Sequence, residues 1–176
     1  KSSDNKLKHI DNKKIFKEPL VGFADGYDEI FSNYKNVIGE FHLTPVEIMQ
    51  QTGKSEKSNK DINNLSVICW VLPISEKTKK SNRTQENVPS MRWAHTRNCG
   101  EKFNNQLRKY VVDFISDLGF KAVAPMLSDF FQWEEDTPVG IASTWSERHA
   151  LYAAGLGTFG LCDGFITPAG KAMRCG

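Results

Sequence analysis

Apolar side chains recur at helical spacing early in the chain and predict two helices. Between residues 28 and 38 they return every three or four positions and share one helical face. Thr44, Pro45 and Glu47 then form a capping-box sequence, in which the threonine caps a helix and the glutamate reaches back to it. The second helix is therefore expected to begin at Pro45.

The longest helical pattern lies in the second half of the chain. Asn98 and Glu101 are spaced like a capping pair, and Gly119 supplies a C-terminal stop. The apolar stripe between them predicts a face that packs in the core. Its members are Phe103, Leu107, Tyr110, Val111, Phe114, Ile115 and Leu118.

Two apolar runs are typical of strands. Residues 65–72 (LSVICWVL) end at Pro73 and indicate a central strand. Residues 121–125 (KAVAP) predict a second strand directly after the long helix. Residues 129–138 mix aromatic and acidic side chains, and two interpretations fit them: the rim of a pocket, or a cap on the core.

Polar segments separate these elements. Residues 51–64 and 75–89 predict loops, and the second is either a surface insertion or a binding loop. Residues 1–17 carry six lysines against two aspartates and predict a mobile, solvated lead-in. Residues 18–176 are then expected to form one domain, because 176 residues suffice for one apolar core and are few for two.

Composition excludes several classes of protein. A hydrophobic content of 39% argues against disorder, and a net charge of +2 gives no overall field for nucleic acid or membrane. No apolar run approaches the roughly 20 residues of a membrane helix. The four cysteines include no CxxC pair, so neither a zinc site nor a disulfide scaffold is predicted, and a reducing cytoplasm suits them best.

The most informative segment is residues 144–176. It reads as a helix to about Ala154, a turn containing Gly155, Gly157 and Gly160, and a strand. The glycines follow a helix and precede a strand, which reverses the dinucleotide-binding order, and no GK(S/T) ending marks a phosphate loop. They indicate either a tight corner or a surface where backbone approaches a ligand closely.

Polar residues on this helix have ordinary and chemical interpretations. Ser143 or Thr144 can cap its start. Arg148 can pair with an acid as a surface ion pair. His149 is either a structural histidine or a proton donor near neutral pH.

Several segments together resemble a known family. Residues 146–176 (SERHALYAAGLGTFGLCDGFITPAGKAMRCG) closely resemble the corrinoid-binding part of epoxyqueuosine reductase-like iron–sulfur proteins, relatives of the reductive dehalogenases. The pieces EPLVGFADG, FHLTP, WVLPISEKT, RWAHTRNCGEKFN and VAPMLS resemble the same group. The resemblance therefore extends from about Glu18 onward and is most specific at residues 146–176.

The resemblance implies an α+β fold with a nitroreductase-like core, a mixed sheet flanked by helices, that holds base-off cobalamin. In the family a ferredoxin-like segment with two 4Fe–4S clusters follows and feeds electrons to the cobalt, which removes an epoxide oxygen or a halide. The positions implied to hold the corrin are Ser143, Thr144, Gly155, Leu156, Gly157, Thr158, Phe159 and Gly160.

Two departures from the family pattern modify these expectations. Ile141 stands where the queuosine enzymes have a catalytic acid, six residues before Glu147, so the proton donor is sought among His149, Tyr152 and His95. Cys162 and Cys175 are too far apart to bind clusters, so no metal ligands are predicted within this chain. The clusters are expected in a segment beyond Gly176, this chain being the N-terminal part, or on a partner.

The expected function is a cytoplasmic oxidoreductase that cleaves a small-molecule or modified-nucleoside substrate reductively. Its electrons come from a low-potential donor such as ferredoxin or flavodoxin. No membrane partner is predicted, and nucleic acid is not favoured, because only the N-terminal arm and Lys77–Arg83 are basic. Two alternatives stay open: a flavin-binding nitroreductase-like enzyme, and a non-catalytic corrinoid-binding redox module.

Overall fold

The computed structural model describes residues 3–52 and 64–176, which form a mixed α+β fold. The helices are α1 (Glu29–Ile38), α2 (Pro45–Thr52), α3 (Glu76–Arg83), α4 (Met91–Asp117) and α5 (Glu147–Ala153). The strands are β1 (Leu20–Asp25), β2 (Ser66–Pro73), β3 (Trp133–Thr137), β4 (Gly140–Ser143), β5 (Thr158–Phe159), β6 (Phe165–Ile166) and β7 (Met173–Cys175).

β2 is the centre of a three-stranded sheet with the order β1–β2–β7, which confirms the predicted central strand. Gly22 lies opposite Cys69, and Val71 lies opposite Cys175. Every strand pair in the described ranges is antiparallel, so the expectation of a mixed sheet is wrong. Two neighbouring strands are parallel only when the connection carries the chain back to the end of the sheet where the first strand began. Here β2 starts beside the end of β1, and β7 starts beside the end of β2.

Apolar clusters cover both faces of this sheet, because successive side chains of β2 point in opposite directions. Cys69 and Val71 face the first cluster, which packs against α1, α2 and α5. Trp70 and Leu72 face the second cluster, which lies against α4 and the N-terminal segment.

The N-terminal segment belongs to the second cluster. Leu7, Ile15 and Phe16 are buried there, and the Ser75 N–H donates to the Ile15 carbonyl at 2.9 Å. The Asn5 side chain bonds both the N–H and the C=O of Phe16, at 2.8 and 3.1 Å. The expectation of a solvated arm is therefore wrong for residues 3–17: their lysines lie at the surface, but their apolar side chains point inward.

The first two helices begin where the sequence predicts. Asp28 caps α1 by accepting the N–H of Ile30 at 2.9 Å. At α2 the Thr44 N–H donates to Glu47 Oε2 at 2.7 Å, and the Glu47 N–H donates to Thr44 Oγ1 at 3.3 Å. This reciprocal pair confirms the capping box. The loop predicted over residues 51–64 lies mostly outside the described residues, and positions 51 and 52 end α2.

Two local predictions are wrong. The segment 75–89 contains α3, whose sequence is polar but whose Thr78 hydroxyl is buried and accepts the Nε–H of Arg92 at 2.9 Å. Tertiary contact with α4 therefore supports a helix that its apolar pattern does not indicate. Residues 121–125 form no strand, and a short 3₁₀ turn follows at Pro125–Leu127.

α4 starts earlier than the predicted cap at Asn98. Ser90 caps it by accepting the Trp93 N–H at 3.1 Å. Gly119, at φ +87°, follows its C-terminus as predicted. No helix of the described ranges combines the length and the apolar character that crossing a bilayer requires.

The buried face of α4 is polar. Its buried positions repeat every four residues: Arg92, Thr96, Gly100, Asn104 and Arg108. Phe103, Leu107 and Val111 of the predicted stripe pack beside them, but Tyr110, Phe114 and Leu118 are exposed. The prediction that these last three residues face the core is therefore wrong. Polar side chains of α4 lie on its buried face instead, because the surface beneath the helix offers them hydrogen-bond partners as well as apolar contact.

Residues 129–138 lead into a β3–β4 hairpin that the sequence did not predict. Phe130 and Phe131 pack against the first cluster, which supports the interpretation as a cap on the core. Trp133 is instead exposed, with its ring 5.6 Å from that of Phe131. The hairpin delivers the chain directly to α5.

Candidate functional site

α5 divides the candidate site into two sides. Ser146 caps the helix by accepting the His149 N–H at 3.4 Å, one turn later than the predicted caps at Ser143 or Thr144. Glu147 and Ala150 line a large cavity on one side. His149 and Tyr152 lie among aromatic rings next to the glycine turn on the other.

An aromatic cluster surrounds His149. Its ring centroid lies 4.6 Å from that of Phe159, 4.8 Å from Tyr34 and 6.2 Å from His42. The Tyr34 hydroxyl donates to the His149 carbonyl at 2.9 Å, which ties α1 to α5. The sequence indicated His149 and Phe159 separately as candidate site residues, but it missed Tyr34 and His42.

Burial holds both histidines of this cluster in the neutral form. It lowers the pKa of His149 to about 4, with smaller contributions from His42 and Arg148. Burial also lowers the pKa of His42, whose Nδ1–H donates to the Ser143 carbonyl at 3.1 Å. His149 therefore carries no ionisable imidazolium proton at neutral pH, which argues against its expected role as a cationic proton donor there.

The other two expected proton donors lie in different surroundings. Tyr152 is 44% exposed, and its ring lies 6.2 Å from that of Phe159 beside the glycine turn. His95 is half-buried on α4. Among the described residues no ring contact or hydrogen bond joins His95 to the His149 cluster.

The fold itself accounts for the glycines of the turn. Gly155 has φ +69° directly after α5, a conformation that glycine adopts without strain. A Cβ on Gly157 would overlap the Ile166 carbonyl oxygen, and one on Gly160 would lie 3.0 Å from Ile166 Cδ1. The tight-corner interpretation therefore explains why positions 155 and 157 need glycine, whether or not a ligand approaches them.

The outer surface of the turn is nevertheless poor in side chains and flanked by apolar ones. Gly155 and Thr158 are exposed, and a Cβ on Gly155 would meet nothing within 4 Å. Tyr152, Leu161 and Ile166 are exposed around it. Leu156 and Phe159 lie half-buried within the turn and pack against the first cluster.

The two hydroxyls expected to hold the cofactor bond to the chain's own backbone. Ser143 Oγ donates to the Trp145 carbonyl at 2.7 Å. Thr144 Oγ1 donates to the Phe130 carbonyl and accepts the Gln132 N–H, both at 3.1 Å. These bonds position the hairpin against α5, so either side chain must exchange a bond in order to hold a ligand.

The cavity beside α5 has a volume of about 1190 Å³ and mostly apolar walls from α2, β2, α4 and residues 120–126. Its charged lining residues are Arg108, Glu147 and Lys121. Arg108 and Glu147 form a two-pronged pair with both distances 2.8 Å, and Lys121 Nζ donates to the Met49 carbonyl at 3.3 Å. Burial raises the pKa of Glu147 to about 7, and the Arg108 guanidinium opposes the rise. Sequence reasoning missed Arg108, although the four-residue polar repeat on α4 was a signal that could have found it.

The exposed thiol of Cys162 has a lowered pKa. Lys171 Nζ donates to Cys162 Sγ at 3.1 Å and lowers the pKa of that thiol. Burial instead raises the pKa of Cys69 and Cys175 to about 12. Within the described ranges, no three His, Cys, Asp or Glu side chains are grouped to hold a metal ion.

Comparisons with protein-family models, with curated proteins and with solved structures found no match to this chain.

Proposed function

We propose that this chain is the corrinoid-binding part of a cobalamin-dependent iron–sulfur oxidoreductase that cleaves its substrate reductively. The observation that carries the proposal is the exposed turn at residues 155–160, a side-chain-poor surface with apolar neighbours on its rim. A flat macrocycle needs close backbone approach and apolar contact, and such a surface offers both. The resemblance of residues 146–176 to corrinoid proteins points to the same place.

The residues of the turn would hold the corrin face through backbone and apolar contact, chiefly at Gly155, Leu156 and Thr158. When bound, cobalamin supplies a cobalt centre that takes up single electrons for the cleavage of a carbon–oxygen or carbon–halogen bond. Electrons would come from 4Fe–4S clusters and a low-potential donor outside this chain. We place the protein in the cytoplasm as part of the same proposal.

The chain's own contribution to the chemistry would be a proton and a shaped surface. Tyr152 is the better placed donor, because it is an exposed residue next to the turn. His149, neutral at pH 7, can accept a proton or hold a hydrogen bond but has no cationic form to donate from. Its Nδ1 lies 2.8 Å from Ser146 Oγ, which fixes the ring at the start of α5.

Cofactor titration tests the proposal. The purified chain is titrated with cobalamin and, separately, with flavin mononucleotide, and binding is followed by the visible spectrum and by equilibrium dialysis. We expect stoichiometric cobalamin binding with the spectrum of the base-off form. Stoichiometric binding of flavin alone would overturn the proposal in favour of a flavin enzyme.

A matched pair of variants locates the binding surface. Thr158→Trp places an indole on the exposed turn, and Thr84→Trp places one at the exposed end of α3. We expect Thr158→Trp to weaken cobalamin binding at least about tenfold, a loss of about 1.4 kcal/mol, and Thr84→Trp to leave it unchanged. Equal affinity in both variants would exclude the turn as the corrin site.

A further inference from the structure

The segment between β5 and β7 brings an exposed thiol and an exposed amine together. Cys162 follows β5, and Lys171 precedes β7, nine positions later in the sequence. Lys171 Nζ donates a hydrogen bond to Cys162 Sγ at 3.1 Å. Two side chains that are nucleophiles in their unprotonated forms, a thiol and a primary amine, are therefore in direct contact at the surface.

Gly164 leaves the space in which this contact forms. A Cβ at position 164 would overlap both Nζ and Cε of Lys171, and it would lie 3.6 Å from Cys162 Sγ. The lysine side chain therefore crosses directly over the glycine backbone to reach the sulfur. Because a methyl group here would displace the amine, the missing side chain of Gly164 sets how closely Nζ approaches Sγ.

The charges around the pair leave the amine to the sulfur. Asp163, next in sequence to Cys162, pairs with Arg148 Nη1 at 2.9 Å. In the part of the chain that the structure describes, no carboxylate lies within ion-pair distance of Lys171. The hydrogen bond from Lys171, with a second from the Gly164 backbone, lowers the pKa of the Cys162 thiol and so favours the thiolate that peroxides oxidise. The other three cysteines are buried or half-buried.

We propose that Cys162 and Lys171 form a reversible covalent S–N bond, a sulfenamide, when hydrogen peroxide oxidises the thiolate. Sγ first attacks one peroxide oxygen, the O–O bond breaks, and the leaving hydroxide takes a proton from the Lys171 ammonium to become water. A sulfenic acid then lies beside a neutral amine. Nζ attacks the sulfur, the S–O bond breaks, and the departing hydroxide takes a proton from the nitrogen. The sulfur loses two electrons overall, and both peroxide oxygens end as water.

The S–N bond has two consequences for the chain. It closes residues 162–171 into a covalent loop, and it consumes the sulfenic acid before more peroxide converts it irreversibly into a sulfinic or sulfonic acid. A dithiol reductant attacks the sulfur, releases the amine and then restores the thiol as its own disulfide forms. The modification needs no cofactor, so it is independent of whether the chain binds a corrinoid.

Mass spectrometry of the peroxide-treated chain tests the proposal. We expect an intact product about 2 Da lighter than the starting chain, because the cross-link removes two hydrogens. Trypsin should no longer cleave after Lys171, and dithiothreitol should restore both the mass and the cleavage. A product that has only gained oxygen would overturn the proposal. So would a product about 14 Da heavier that resists cleavage after Lys171, because it would contain a bridge through oxygen instead of an S–N bond.

Two substitutions identify the reacting groups. Lys171→Arg keeps a cation beside the thiol, but a guanidinium does not lose its proton and cannot attack the sulfur. We expect this variant to stop at the sulfenic acid, which dimedone traps at Cys162, and to give no lighter product. Cys99→Ser removes a half-buried thiol and should leave the yield of the cross-link unchanged. The lighter product in Lys171→Arg would overturn the assignment of the amine.

A third variant tests the geometry while both reacting side chains stay in place. Gly164→Ala introduces the methyl group that displaces Lys171, so we expect at least about a fivefold lower yield of the cross-link and more sulfenic acid trapped by dimedone. Pro168→Ala, at an exposed position of the same segment, should preserve the yield. Urea denaturation checks that each variant keeps its fold. Equal yields in Gly164→Ala and the unchanged chain would show that the contact does not direct the reaction and would overturn the proposal.

Discussion

Consecutive residues of α5 form two ion pairs that differ in surroundings. Glu147 pairs with Arg108 in the interior, where the two side chains are 14% and 3% exposed. Arg148 pairs with Asp163 at 2.9 Å on the surface. Burial removes the water that would otherwise solvate each group, so breaking the first pair leaves an unpaired polar group in the core and breaking the second does not.

Arg108→Met should therefore be strongly destabilising. It leaves the buried Glu147 carboxyl group without its partner and removes the donor to the Cys175 carbonyl at 3.0 Å, so we expect a loss of about 3–5 kcal/mol in the free energy of unfolding. Arg148→Met should lose less than about 1 kcal/mol. Urea denaturation of both variants makes the comparison. The double variant Arg108→Met, Glu147→Leu should recover much of the loss, and equal losses in the two single variants would contradict this account.

His149 should make stability depend on pH in a defined window. Burial lowers its pKa from 6.5 to about 4, so between these values an unfolded chain binds a proton that the folded chain excludes. The free energy of unfolding should therefore fall as pH falls from about 6.5 to about 4, and this contribution should stay constant above the window. His42, whose pKa burial also lowers, acts in the same direction.

Urea denaturation at several pH values between about 8 and 4.5 measures this effect. His149→Gln removes one titrating group, so its free energy of unfolding should fall less steeply on acidification than that of the unchanged protein. His9→Gln alters an exposed histidine and should preserve the steep fall. A His149→Gln profile parallel to that of the unchanged protein would refute the assignment.

At the scale of elements, the turn after α5 depends on two glycines for different reasons. Gly155 needs a left-handed conformation in open space, and Gly157 needs room against the Ile166 backbone. Gly155→Asn should therefore cost less than about 1 kcal/mol, because asparagine tolerates this conformation. Gly157→Ala should cost about 1–3 kcal/mol, because backbone must shift to admit the methyl group. Thermal unfolding that ranks the two variants in the reverse order would contradict this.

Elements were predictable where local signals and packing agree. The capping box at Thr44 and the apolar run of β2 satisfy local rules and also face the core, so both were found. α3 was missed because its stability depends on contacts from other elements, such as Arg92 on Thr78. The apolar pattern of α4 predicted the wrong buried residues, because it cannot show hydrogen-bond partners that are distant in sequence. Asn104 is buried because Trp70 and the Cys175 carbonyl are such partners.

At the scale of the whole molecule, only some residues of the candidate site are close to one another in sequence. His149, Tyr152 and Phe159 lie within one helix and the following turn, so their proximity follows from local geometry. His42 and Arg108 reach α5 from elements about 107 and 39 positions away in sequence, and no local rule connects them. A resemblance confined to motifs cannot supply such long-range contacts, because they depend on the packing of the sheet.

The N-terminal segment tests how far the fold depends on contacts remote in sequence. Phe16 is fully buried, and its ring lies 5.9 Å from that of Phe103 and above Gly100, where a Cβ would meet Phe16 Cζ at 2.8 Å. Phe16→Ala should therefore lower the free energy of unfolding by about 3–5 kcal/mol, measured by urea denaturation. Ile10→Ala in the same segment, at a 37% exposed position, should cost less than about 1 kcal/mol.

Removal of residues 1–17 should then have a larger effect than either substitution, because it strips Leu7, Ile15 and Phe16 from the second apolar cluster. It also deletes Asp11, which accepts from Arg92 Nη1 at 2.7 Å and leaves that buried guanidinium without its carboxylate partner. Since an unpaired buried charge and an uncovered core both favour unfolding, we expect loss of the cooperative thermal transition. A shortened chain with an unchanged transition would show that the segment is dispensable, in agreement with the solvated arm that the lysine content predicted.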